Sequence, residues 1–266
     1  QVKSGLLLAG LYAQGKTTIT EPVLTRDHTE RMLQHFGVDV QRNGLTVSIT
    51  PGQTLKAADF NVPGDMSCAA FFIVAAAISF NSDVVIEQVG INPGRSGLID
   101  ILRLMGADID CTNAADLNGE PVVDIHVKYA PLQGIAIPAE CLSASSDELP
   151  LVFVAAACAQ GESLLKGAAE LRGKEQNRVQ AMTDGLRKMG IVIDNKNGQI
   201  SITGGEFIGA KVDSFGDPRI AMALSIAGSQ AHGDVLITGC DHVASSFPDF
   251  VEIAQKIGLR LQKEET

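Results

Sequence analysis

The sequence predicts an α/β protein built of repeated βαβαββ units, three of which share a core around buried helices. Three observations point there. Four segments, RMLQHFGVDV, DILRLMGADI, GLRKMGIVI and IAQKIGLRL, each run an amphipathic helix into a glycine and then into an apolar strand. Those glycines, Gly37, Gly106, Gly190 and Gly258, recur at intervals of roughly 70 residues with one longer gap, as repeated supersecondary units do. Upstream of each lies an Ala-rich apolar stretch, a small turn and a β-branched run.

The elements follow in order. LLLAGLY opens the first copy as a helix, KTTITEPV is its leading strand, HTERMLQHF its second helix and LTVSIT a further hairpin strand. AAFFIVAAAI, DVVIEQVG and VVDIHVKY play these parts in the second copy, and LPLVFVAAACA, ESLLKGAA and QISITGG in the third. IAMALSIAGS and DVLITGCD open a fourth, which ends after LRLQKEET without a hairpin strand. A closing strand leads from each copy into the next. Glycine just past the last helical residue is a C-cap signal, because it takes φ > 0 without a Cβ clash. The Ala-rich helices are apolar all round and so are expected to be buried on every side. The second helices, amphipathic, should cover the outside of the sheets. The long gap has a local cause: NAADLNGEPVVDIHVKYAPLQG holds an extended hairpin with Asn118-Gly119 as its turn.

Composition narrows the function. The chain has 266 residues, 45% hydrophobic and 20% charged, which is globular. A net charge of −10, no tryptophan and two tyrosines argue against a nucleic-acid partner. The longest apolar run, Cys68 to Ile78, is too short for a bilayer, which needs ~20 residues, so no membrane partner is expected. Five cysteines at irregular spacing read as small core residues of a protein in a reducing compartment, the cytoplasm. No ligand spacing implies a metal, and no Gly-rich cradle implies a nucleotide, so no cofactor is expected.

Charge gathers at the helix starts. Asp65, Asp147 and Asp217 each precede an Ala-rich helix, where an N-cap is the ordinary role. Arg26 and Arg95 each stand eleven residues before the capping glycine of their copy, and Lys174, Glu175 and Arg178 occupy the same corner of the third. Arg95 alone fits a solvated loop. Arg26, Lys174, Arg178 and Arg219 together predict an anion site, since cations at helix starts oppose the dipole unless an anion sits there. Asp147 and Glu175 are then placed to move protons.

QVKSGLLLAGL, TRDHTERML, VPGDMSCAAFF, SSDELPLVFVAAACAQG, ELRGKEQNR and GDPRIAMA, with SFPDF near the end, carry a resemblance over essentially the whole chain. It resembles the EPSP synthase (5-enolpyruvylshikimate-3-phosphate synthase) family of enolpyruvyl transferases. That resemblance implies two domains, each an inside-out α/β barrel of three βαβαββ units, closing over a cleft. Residues 1–63 then look like the last unit of one domain and residues 64–266 like all three units of the other. The remaining N-terminal part of the same polypeptide is expected to be absent, consistent with a start at Gln1 rather than Met, and the chain alone is expected to be inactive.

The resemblance also implies roles. Gln1 looks like a residue contacting both substrates, and Arg26 like the arginine binding shikimate 3-phosphate. Asp147 looks like the carboxylate that holds the shikimate hydroxyls and accepts the proton of the attacking one. Lys174 looks like a shikimate-3-phosphate and proton-transfer lysine, and Glu175 like the acid/base acting on the phosphoenolpyruvate methylene. Arg178 and Arg219 look like the pair gripping phosphoenolpyruvate. Gln176, Pro218 and Ser245 depart from residues many members carry. Two alternatives stand beside this reading: the sister enzyme acting on UDP-N-acetylglucosamine, and a non-catalytic repeat scaffold.

Overall fold

A computed structural model describes residues 1–166, 173–196 and 198–264, Lys174 by its backbone only. The first copy forms α1 (Val2–Gly10), β1 (Thr17–Thr20), α2 (His28–His35), β2 (Val40–Asn43) and β3 (Thr46–Ile49). The second forms α3 (Met66–Ile78), β4 (Asp83–Gly90), α4 (Gly97–Leu104), β5 (Asp108–Leu117) and β6 (Glu120–Lys128). Then β7 (Ala136–Ile137), α5 (Ala139–Ala144) and a 3-10 turn at Ser146–Glu148 lead into the third copy. It forms α6 (Leu149–Cys158), β8 (Glu162–Leu165), α7 (Lys174–Lys188), β9 (Val192–Lys196) and β10 (Gln199–Thr203). Last come β11 (Phe207–Asp213), α8 (Pro218–Gly228), β12 (Ala231–Thr238), α9 (Val243–Ser246) and α10 (Phe250–Lys256).

All four capping glycines adopt positive φ: 83° at Gly37, 91° at Gly106, 94° at Gly190 and 96° at Gly258. At Gly106 a Cβ would meet little, its nearest neighbour being Pro131 O at 3.9 Å, so only the backbone conformation opposes a side chain. Gly106→Ala should therefore cost about 1–2 kcal/mol, the penalty of a left-handed L-residue, read as a lowered Tm. An unchanged Tm would remove the cap as a stabilising device.

Three sheets share one order, in which the hairpin strand lies between the leading strand and the strand after the glycine: β1-β3-β2, β4-β6-β5 and β8-β10-β9. All those pairings are antiparallel. The closing strand of each copy does not stay with its own sheet. β7 pairs parallel with β8, β11 pairs parallel with β12, and Gly64 makes a parallel bridge to Val89 on β4. Each parallel pair therefore spans one Ala-rich helix, as a parallel connection requires a crossover. After Gly258 no strand forms among the described residues.

The Ala-rich helices α3, α6 and α8 pack against one another. Their side chains, with Phe153, Ile73 and Leu224 each 0% exposed, centre one large apolar core. A second, smaller core lies within the first copy, around Leu7, Leu33, Val47 and Ile49. There α1 packs on β1, β3 and α2, with Val2, Leu6 and Leu8 on it and Tyr12 just after it exposed, although its sequence pattern matches the buried three. The cysteines fit the expected core role in part: Cys141 and Cys158 pack against the large core, Cys68 is half-buried, and Cys111 and Cys240 are exposed. β5 explains Cys111, since its residues from Asp110 to Asp116 face solvent.

Candidate active site

The first turns of α3, α6 and α8 converge. Asp65 accepts from the Ser67 amide at 3.1 Å and Asp217 from the Arg219 amide at 2.8 Å, so both cap their helices. Asp147 does not. It lies in the 3-10 turn ahead of α6, makes no capping bond, and leaves its carboxylate to arginines. Arg26 Nη2 donates to it at 2.8 Å, Arg178 Nη1 stands 3.8 Å away and Arg219 Nη2 3.9 Å away. Arg219 Nη1 also donates to the Asp147 carbonyl at 3.0 Å. Arg178, 3% exposed, donates from Nε to Asp217 at 2.9 Å, so the cap of α8 doubles as its counterion.

Arg26 reaches the cluster from the first copy because its backbone is held from behind. A Cβ on Gly94 would lie 2.8 Å from the Arg26 nitrogen, a contact only glycine permits. The pairing thus links the two hydrophobic cores through side chains at the helix mouths.

Burial resists ionisation of Asp147, but Arg219, Arg26 and Arg95 outweigh it and hold the carboxyl below the usual carboxylate range. Burial likewise opposes the Asp217 charge, and Arg178 with the backbone amides of α8 overcomes it. Both folded values lie below the unfolded value of about 3.9. Their stabilisation is therefore complete above that pH and is lost as pH falls through the folded values. Tm should drop steeply below about pH 4, and Asp217→Asn should flatten part of that drop. An unaltered acid limb in the variant would refute the assignment. Cys68, beside Asp65, is pushed up to about 11 by burial and then by that carboxylate, so it stays a thiol at neutral pH and offers no nucleophile.

The structure thus gathers Arg26, Asp147, Arg178 and Arg219. Glu175 sits half-buried in the first turn of α7, three residues before Arg178 and on the same helix face, with no ion pair to a described residue. Gln1 is exposed at the start of α1, and its side chain makes no hydrogen bond within the cluster. The side chain of Lys174 lies outside the described residues. Arg95 is corrected: it is not a solvated loop residue but 13% exposed, bonded to Ser67 and 3.5 Å from both Asp65 and Glu148. Its register, identical to that of Arg26, was the signal that places it. Ser67 and Glu148 were not predicted, because nothing in a sequence distinguishes a buried carboxylate next to Asp147 from a solvated one. Among the described residues no group of His, Cys, Asp and Glu is arranged to hold a metal ion, and no helix is long and apolar enough to cross a membrane.

The sequence model for EPSP synthase (3-phosphoshikimate 1-carboxyvinyltransferase) matches residues 1–253. The chain belongs to the EPSP synthase family. A 3-phosphoshikimate 1-carboxyvinyltransferase of Methylococcus capsulatus is 53% identical over 98% of this chain and 60% of its own length. That of Acidithiobacillus ferrooxidans is 50% identical over the same shares. The solved EPSP synthase of Acinetobacter baumannii superposes with a TM-score of 0.93 at 47% identity, over 100% of this chain and 61% of that one. The enolpyruvyl transferase NikO of Streptomyces tendae, at 20% identity, shares the fold, with a TM-score of 0.73 over 95% of this chain and 57% of its own. The fold is therefore the inside-out α/β barrel of these family members. The chain spans about 60% of the length of the curated relatives it matches.

Proposed function

We propose that the site transfers the enolpyruvyl group of phosphoenolpyruvate to the 5-hydroxyl of shikimate 3-phosphate, giving 5-enolpyruvylshikimate 3-phosphate and phosphate. The observation that carries this is one ionised carboxylate, Asp147, ringed by three arginines from both cores at converging helix N-termini. Helix dipoles and guanidinium groups together favour bound phosphate and carboxylate. Glu175 protonates the phosphoenolpyruvate methylene, and positive charge develops on the adjacent carbon. The 5-hydroxyl adds there and passes its proton to Asp147, forming a tetrahedral ketal phosphate. Loss of a methyl proton to Glu175 and of phosphate then restores the double bond. The arginines depress the basicity of Asp147; anionic substrates competing for the same arginines restore it at the moment it is needed.

Arg26 and Lys174 serve shikimate 3-phosphate in this reading, Arg178 and Arg219 serve phosphoenolpyruvate, and Gln1 touches both. Residues 1–63 act as the last unit of one domain and residues 64–266 as the three units of the other. The exposed apolar side chains of α1, Leu6 and Leu8, with Tyr12 in the turn after it, are the natural seat for the remainder of the same polypeptide, whose own helices would complete a second buried trio. We place the enzyme in the cytoplasm, where its free cysteines remain reduced.

The test is a turnover assay. The full-length polypeptide should release phosphate from the two substrates, and UDP-N-acetylglucosamine should not replace shikimate 3-phosphate. Turnover only with the nucleotide sugar would transfer the assignment to the sister reaction. The 266-residue chain by itself should form no product; measurable product would overturn the need for the rest.

A further inference from the structure

We propose that Glu148 is a positioning residue: through Ser67 it couples Arg95 to Arg219 and presents the two guanidinium groups as one clamp for the phosphoenolpyruvate anion. This rests on the reaction assigned above and adds three residues, Ser67, Arg95 and Glu148, to the machinery of that site.

The argument starts from one hydroxyl. Ser67 Oγ accepts from Arg95 Nη2 and, at 3.1 Å, from Arg219 Nη1. A serine hydroxyl has two lone pairs and a single proton. With both lone pairs taken by arginine N–H groups, the proton points to Glu148 Oε1, which accepts it. That same oxygen lies 3.5 Å from Arg95 Nη2 and 3.5 Å from Arg219 Nη1. The four groups come from four places in the chain: the first turns of α3 and α8, the residue before α6, and the loop after β4.

Two guanidinium groups sharing one hydroxyl repel unless an anion lies against both. Glu148 is that anion, and its side chain is 2% exposed, so water does not screen it. Asp147 bonds Arg26 and lies 3.9 Å from Arg219, but among the described residues only Glu148 stands at 3.5 Å from both Arg95 and Arg219. Glu148 itself is too enclosed to meet substrate. Its effect passes through the arginines, whose spacing it sets.

The experiment uses the full-length polypeptide with Glu148→Gln, Ser67→Ala and Glu148→Asp, followed by steady-state kinetics and thermal unfolding. Glu148→Gln and Ser67→Ala should raise KM for phosphoenolpyruvate at least about tenfold, with kcat and KM for shikimate 3-phosphate within about threefold, as for loss of uniform binding to one substrate. Glu148→Asp should recover part of the affinity. A fall in Tm with KM for phosphoenolpyruvate within about twofold would reduce Glu148 to a structural ion pair and overturn the proposal. Equal rises in both KM values would overturn it too. Failure of the reaction assignment shows separately, as absent turnover in the unsubstituted enzyme. Ser67→Ala, which removes one oxygen and no charge, gives the reading if Glu148→Gln does not fold.

Discussion

Glu175→Gln and Asp147→Asn should each lower kcat by about 10²–10⁴, the usual worth of a general acid or base. The two losses should differ in everything else. Glu175 has no ion pair to a described residue, so its amide should leave Tm unchanged. Asp147 is the shared counterion of Arg26, Arg178 and Arg219. Its neutralisation leaves three cations facing one another and should lower Tm. The same change frees those arginines for substrate, so KM for the anionic substrates should fall or hold while kcat collapses. Measuring kcat, KM and Tm on both variants checks all of this. Near-normal kcat in either variant would refute its role in proton transfer.

Arg178→Met should be the most destabilising change at the site. Arg178 is 3% exposed and bonded through Nε to Asp217, itself mostly buried and already committed to capping α8. Removing one partner of such a pair strands the other, at a cost of about 3–5 kcal/mol. Adding Asp217→Asn to the Arg178→Met chain should recover part of that loss, because the stranded charge is gone. Denaturant unfolding of the single and double variants measures both. A single-variant loss below about 1 kcal/mol would mean that water reaches the pair and that Arg178 is held by substrate rather than by the fold.

Most of the architecture could be read because periodicity carries it. The run from Cys68 to Ile78 has no polar face, and that alone requires burial on all sides. The four glycines announce their φ values before any coordinates do. The traded strands were harder: β7 is two residues long, and the Gly64–Val89 bridge is a single pair, too short for any sequence pattern. At the site, Arg26, Asp147, Arg178 and Arg219 were legible because charge is rare among these apolar elements. Arg95 was misread because one arginine in a Pro-Gly loop resembles a surface residue until its burial is known. Glu148 was invisible, since its role depends on a serine 81 positions earlier in the chain. N-capping was correctly read for Asp65 and Asp217 and wrong for Asp147, where the 3-10 turn moves the carboxylate off the helix axis.

Because each closing strand bonds to the sheet that follows it, the repeating unit and the hydrogen-bonded unit are offset by one strand. A chimera that exchanges copies between two relatives would keep its backbone pairing only with joints behind β3, β6 or β10, ahead of the donated strand. A joint placed directly before an Ala-rich helix would instead graft each donor strand onto a foreign neighbour, and its parallel edge would have to be matched anew.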